Sequence, residues 1–192
     1  QNFYLTNKYI SKKIDFYRKN LLNVKIKKNN IKVSKSRLKI IHITNFNERH
    51  NGRLFYNTGR RINNGLIRLG HSVLEFSDRD IVSNHRKLND FNGSKYLNKK
   101  LLLVIGNYNP DLVILGHADL IDIKTLKLIK EYYPKVKFSQ WFLDKMDSNW
   151  TSNKKRFLDK LDIMDANFCT TDPSILKFPK KKPIYYIPNP VD

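Results

Sequence analysis

Cysteine, acidic residues and long apolar runs are all scarce in this sequence, and each scarcity excludes something. Cys169 is the single cysteine of the 192 residues. Neither an internal disulfide framework nor a thiolate metal cluster can be built from it, and one thiol suits a reducing compartment. The longest apolar run, Leu101–Ile105, falls far short of the ~20 residues needed to cross a bilayer. No secretory signal pattern is legible. The 7 glycines contain no G-x-G-x-x-G, which demotes a dinucleotide-binding reading.

Acids number 17 against 37 Lys and Arg, for a net charge of +20. Residues 1–37 hold 11 of the cations and a single acid, Asp15, so half of the excess lies on a short leader. The sign favours anionic partners such as nucleotide phosphates, acidic lipid headgroups or nucleic acid. A coding bias toward Lys, Asn and Ile produces the same excess without function. In the leader, Tyr9, Ile10, Ile14, Phe16, Tyr17, Leu21 and Leu22 interleave with cations in a roughly helical pattern, and Lys25–Lys35 reads as a basic linker. Such a segment suits an arm packing on another domain or a helix lying on an anionic membrane.

From Leu38 the punctuation becomes regular. Apolar runs rich in β-branched residues predict strands at Leu38–Ile43, Ser72–Phe76, Leu112–Leu115, Val136–Phe142, Ala166–Cys169 and Ile184–Ile187. Between them, 3.6-residue periodicity predicts a helix over Gly52–Leu69 stopped by Gly70, with Leu54, Phe55, Ile62, Leu66 and Leu69 on its inner side. Further helices are predicted over residues 95–105, from Asp122 to Pro134, and from a Ser152 cap through Phe157, Leu161 and Met164. Residues 79–94 form a polar connection with no assignable element. Strands alternating with helices predict an α/β fold, a Rossmann-like doubly wound parallel sheet of about six strands over residues 38–192.

In such sheets ligands bind at the carboxyl ends of the strands, and the unusual polar residues fall there. The first strand runs into Glu48, Arg49, Asn51, Gly52 and Arg53, the second into Asp78 and Asp80, and the third into His117 and Asp119. The fourth ends through Trp141 toward Asp144, and Asp172 follows the fifth. Gly52 at a helix start would let a phosphate approach the backbone, with Arg49 or Arg53 paired to it; otherwise Asn51-Gly52 is a turn and the arginines are solvated. His117 suits a general base or a hydrogen-bonding partner of a hydroxyl, or a satisfied structural residue. Trp141 suits stacking on a sugar face or simple core packing. Asp144 suits a base. Asp78 and Asp80 stand where an acid holds a ribose in dinucleotide enzymes.

These segments resemble a known family. ERHNGRLFYNTGRRINNGLIRLGH (Glu48–His71), EFSDRD (Glu75–Asp80), PDLVILGHADLI (Pro110–Ile121), QWFLD (Gln140–Asp144) and IPNPVD (Ile187–Asp192) are similar to the N-terminal domain of GT-B glycosyltransferases, nearest the CgeB-like group of bacterial enzymes related to family 4. The last stretch resembles the I-P-N-G-V-D turn that leads into the donor-binding domain, with Pro190 in place of glycine.

The resemblance implies transfer of a sugar from a nucleotide-sugar donor to a glycan or other acceptor. The N-terminal domain would hold the acceptor, with no cofactor and no divalent metal. His117 and Asp144 become the candidate catalytic residues. Glu48, Arg49, Asn51, Gly52, Arg53, Asp78, Asp119, Trp141 and Asp172 become candidates for substrate or donor phosphate. The chain opens on Gln1 and stops at Asp192, so a larger unit with a second domain is expected, and this part alone is expected to be inactive. The expected location is the cytoplasm, with the inner membrane face as an alternative through residues 1–37. Two departures stand out: the first loop lacks a G-G run, and no histidine follows the fourth strand. The competing readings are a non-catalytic GT-B-like binding domain and a basic nucleic-acid module, the latter on Arg53, Arg60, Arg61 and Arg68 of one helix face with no recognised motif.

Overall fold

The six apolar runs pair into one sheet, because β-branched residues favour an extended backbone, whose N–H and C=O groups only neighbouring strands can satisfy once buried. In the computed structural model, which describes residues 37–88, 90–146, 149–176 and 182–190, they are β1 (Lys39–Thr44), β2 (Ser72–Ser77), β3 (Leu112–Gly116), β4 (Lys137–Phe142), β5 (Ala166–Cys169) and β6 (Ile184–Tyr186). Every pairing is parallel and the order is β2-β1-β3-β4-β5-β6. The chain belongs to the α/β class with a Rossmann-like six-stranded parallel sheet. The leader falls, except for Arg37, outside the described residues.

Alternation along each strand sorts the core onto two faces. Ile41, Ile43, Val113, Leu115 and Phe138 point to one face. There they meet Val82 of α2 (Asp78–Asn84), Leu97, Leu101 and Ile105 of α3 (Ser94–Tyr108), and Leu126 and Ile129 of α4 (Ile123–Tyr132). Further along that face, Phe142 and Cys169 pack with Phe157 of α5 (Thr151–Leu158) and with Leu161 in the 3-10 turn Leu161–Ile163. Ile40, Ile114 and Trp141 point the other way, toward Ile62 and Leu66 of α1 (Thr58–Arg68). A short helix, α6 (Pro173–Leu176), precedes β6. No helix among the described residues is long and apolar enough to cross a membrane.

Several boundaries differ from those expected. The helix predicted from Gly52 begins at Thr58, because Asn51 (φ 50°) and Gly52 (φ 82°) are both left-handed and break the helical path. Asn57 is the true cap, its Oδ1 accepting the Arg60 N–H at 3.0 Å. Phe55 and Leu69, expected on the inner side, are exposed. The connection over 79–94 contains α2 and a turn closed by a Lys87–Asp90 bridge. The Ser152 cap is displaced: α5 starts at Thr151 after Trp150, and the run ends at Leu158, so Leu161 and Met164 are buried beyond the helix. Asp122 holds the cap position of α4, but its side chain makes no capping bond.

The sheet order reverses between β1 and β3. The chain steps outward from β1 to β2, then crosses back past β1 to β3 and onward to β6. Connections diverge at that point, which opens a crevice at the carboxyl ends of β1 and β3.

Candidate functional site

A cavity of about 420 Å³ occupies this crevice. Thr44 and Asn45 line it from β1, Gly116 and His117 from β3, and Trp141, Leu143 and Asp144 from β4. Asn57, Thr58 and Gly59 close it at the start of α1, with Arg79 of α2 and Arg156 of α5 at the sides. The first amides of α1 have no partner within the helix, so this wall presents donors and a positive dipole end. Gly59 is needed there, since a Cβ would lie 2.7 Å from Cγ2 of Thr44.

The floor is set by Gly116. A Cβ at this position would lie 1.9 Å from the Trp141 ring, so only glycine lets the indole cross the end of β3. Trp141 is 5% exposed, and its Nε1 donates to Nε2 of His42 at 3.1 Å. An indole N–H can only donate, so neutral His42 carries its proton on Nδ1, facing Oδ1 of Asn63 at 3.3 Å. Asn63 in turn donates to Glu75 at 2.7 Å, and Arg60 pairs with Glu75 at 3.2 Å. Burial pushes His42 down to about 4, against the Asn63 bond. This polar chain, buried from Trp141 to Asn63 and open to solvent at Glu75 and Arg60, ties α1 to the sheet and fixes the Trp141 ring.

His117 sits at φ 50°, a left-handed backbone uncommon for any residue but glycine. Its Nε2 accepts the Leu143 N–H at 3.0 Å. A backbone N–H can only donate, so neutral His117 holds its proton on Nδ1, which lies 3.5 Å from Oδ2 of Asp144. The ring packs 4.3 Å from Phe142 and edge-on to Trp141. Burial pushes its pKa below the ordinary histidine range, while Asp144 pulls the other way.

Asp144 leads a chain of charges. Arg156 lies 3.5 Å from Asp144, pairs closely with Asp119, and stacks over Phe142 at 5.3 Å. Arg79 reaches Asp119 at 3.9 Å. Asp144 is half exposed to the cavity. With His117 neutral, two guanidinium groups balance two carboxylates. Beneath them Asp78 is buried, and burial pushes it up to about 6 against the bond from the Arg79 N–H. Lys160, also buried, is pushed down by burial and pulled up by Asp119 and Asp78.

Of the residues singled out from sequence, the fold brings His117, Trp141 and Asp144 into the cavity wall, and Asp119 joins them through Arg156. Beyond Asn45, the loop after β1 turns elsewhere. Asp80 accepts the Glu48 and Arg49 N–H groups at 2.8 and 3.4 Å, the Arg49 guanidinium at 2.7 Å, and the Ser77 hydroxyl. Burial raises this carboxyl, but those bonds outweigh it and hold it below the usual range. Asp80 therefore organises a loop, and Arg49 is engaged with it. Asn51, Gly52 and Arg53 are exposed outside the cavity. Gly52 serves a left-handed turn, and its Cβ position is open space, so no close backbone approach requires it. Asp172 is exposed after β5 and does not line the cavity. Arg79 and Arg156 are the cations lining it; Arg79 lies within the EFSDRD segment but is not singled out there, and no motif marks Arg156. Among the described residues no group of acids, histidines and cysteines is placed to hold a metal ion.

No protein-family model matches the chain, and no curated protein matches its sequence.

Proposed function

We propose that this domain is the acceptor side of a GT-B glycosyltransferase that moves a sugar from a nucleotide-sugar donor, in a protein whose second domain binds the nucleotide. The observation that carries the reading is the pairing of half-exposed Asp144 with His117 and Arg156 in an open crevice at the sheet's switch point. Such a crevice is where sheets of this kind bind ligands. The segments similar to the CgeB-like group supply the choice of chemistry.

In this proposal Asp144 accepts the proton of the acceptor hydroxyl. The hydroxyl oxygen then bonds to the anomeric carbon as the bond from that carbon to the donor diphosphate breaks, and the electron pair leaves with the diphosphate. His117 acts by donating: its Nε2 lone pair is used by Leu143, so Nδ1–H orients Asp144 or a substrate oxygen. Before reaction Arg79, Arg156, Asp119 and Asp144 sum to zero. When Asp144 takes the proton the group gains one net positive charge, as negative charge grows on the leaving group.

The test is release of nucleoside diphosphate from UDP-, GDP- and dTDP-sugars by the full-length protein with glycan acceptors. Transfer that is lost in Asp144→Asn, with the fold intact, supports the proposal. No transfer from any donor, or full activity in Asp144→Asn, sinks it.

A further inference from the structure

The loop between α2 and α3 exposes two large apolar side chains, Leu88 at 87% and Phe91 at 76%. Neither packs on the domain. The described residues of the loop are tied down at several points. The Lys87–Asp90 bridge closes it, and the Asp90 carboxylate accepts the N–H groups of Lys95 and Tyr96 at 3.3 and 3.0 Å. Gly93, at φ 63°, sits so close to α2 that a Cβ would lie 2.9 Å from the Val82 carbonyl oxygen. His85 stacks on Tyr96 with ring centroids 4.0 Å apart. Leu88 and Phe91 are thus presented by a braced turn.

The surroundings are cationic. Arg86, Lys87, Lys95, Lys99 and Lys100 lie between residues 84 and 100, where Asp90 is the only acid. That acid accepts two first-turn amides of α3. Along α3, Tyr96, Lys99 and Leu103 recur at helical spacing on the outer side and are all exposed. The start of α3 lies at the carboxyl edge of the sheet. Asn98 fixes it there, donating to the Leu120 carbonyl at 3.2 Å and accepting the Asp122 N–H at 2.9 Å.

We infer that this loop and the outer side of α3 form a contact surface for an anionic lipid bilayer. Leu88 and Phe91 enter the headgroup boundary while the flanking cations meet acidic headgroups. Charge complementarity and an apolar tip that pairs aliphatic Leu88 with Phe91 together favour lipid. A nucleic acid would reward the cations but gains nothing from Leu88, which cannot stack on a base, and Tyr96 already has one face against His85. The surface is distinct from the cavity and does not depend on the sugar-transfer proposal.

The test uses the whole chain with phosphatidylcholine vesicles, with and without phosphatidylglycerol. Leu88→Ser/Phe91→Ser should weaken binding to the anionic vesicles by roughly tenfold or more, with an unchanged circular dichroism spectrum. To separate this surface from the basic residues 1–36, an environment-sensitive dye is placed at Leu88→Cys; the native Cys169 is buried. Its emission should shift to the blue on anionic vesicles and return in high salt, while a dye at Lys135→Cys stays unchanged. Absence of vesicle binding, equal binding by the double variant, a silent dye at position 88 on bound chain, or a response to single-stranded nucleic acid in place of vesicles would each overturn the inference.

Discussion

The Leu143 N–H donates to Nε2 of His117 at 3.0 Å, and this one bond ties the carboxyl end of β4 to that of β3. It decides what the histidine can do. With its lone pair engaged, the ring offers only Nδ1–H to the cavity, and Asp144 is left as the group able to take a proton. The bond also makes His117 part of the framework.

His117→Ala is therefore expected to destabilise the domain by about 2–4 kcal/mol, by stranding the Leu143 amide, removing ring packing and leaving alanine in a left-handed backbone. His117→Asn, better tolerated at positive φ, should recover part of the loss. Urea denaturation compares the three chains, and a His117→Ala midpoint equal to wild type would contradict the framework role.

Asp144 stands in a different position, half exposed and bonded at long range. Asp144→Asn should leave the melting temperature within a few degrees of wild type. Under the proposed function it should lower sugar transfer by about 10²–10⁴-fold, the range for losing an acid–base group. On the same proposal Arg156→Ala should lower turnover as well, because Asp144 loses its guanidinium partner and Asp119 keeps only the more distant Arg79. The decisive comparison is the rate of diphosphate release beside the unfolding curve.

Asp78 and His42 make opposite contributions to stability against pH. The folded pKa of Asp78, about 6, lies above its ordinary 3.8. Its stabilising share is complete below 3.8 and is lost as pH rises through 6, a penalty of roughly 3 kcal/mol above that. His42, at about 4 against an ordinary 6.5, contributes fully above 6.5 and loses its share as pH falls toward 4. In the wild type the two trends oppose one another between about 4 and 6. Asp78→Asn keeps the acceptor for the Arg79 amide and removes the ionisable group. It should raise stability by about 1–3 kcal/mol at pH 8, do little at pH 3.5, and leave a steeper acid limb. Denaturation midpoints between pH 3.5 and 8 read both effects, and a variant that is weaker at pH 8 would refute the assignment.

Gly116→Ala tests the cavity floor. The added methyl collides with the ring of Trp141 rather than with a flexible chain end. The expected cost is about 1–3 kcal/mol of overpacking, accompanied by a change in indole fluorescence as the bond to His42 is strained. An unchanged emission maximum and midpoint would show that the ring moves aside freely.

Each strand lies within one residue of its sequence-predicted ends, from β1 at Lys39–Thr44 to β6 at Ile184–Tyr186. Alternating apolar residues and Pro or Gly punctuation are local signals, and parallel pairing follows from the helices between strands. The same reasoning put His117, Trp141 and Asp144 at strand ends, and all parallel strands end on one edge. It failed at Gly52. Asn-Gly before an apolar run reads equally as a helix start or a left-handed turn, and the choice rests on whether Asn57 or an earlier residue caps Arg60.

Composition and periodicity alone determined the class of fold, the sheet and the edge on which polar residues gather, because these depend on properties repeated along the chain. Which of those residues face one another was decided only in three dimensions. Arg49, a natural anion partner by position, is drawn to Asp80, which accepts its side chain and backbone together. Arg156, on a helix with no motif, reaches the cavity because Phe157 beside it is anchored under Phe142. A single buried carboxylate or one packed ring redirects a long side chain by several ångströms, and sequence spacing carries no information at that scale.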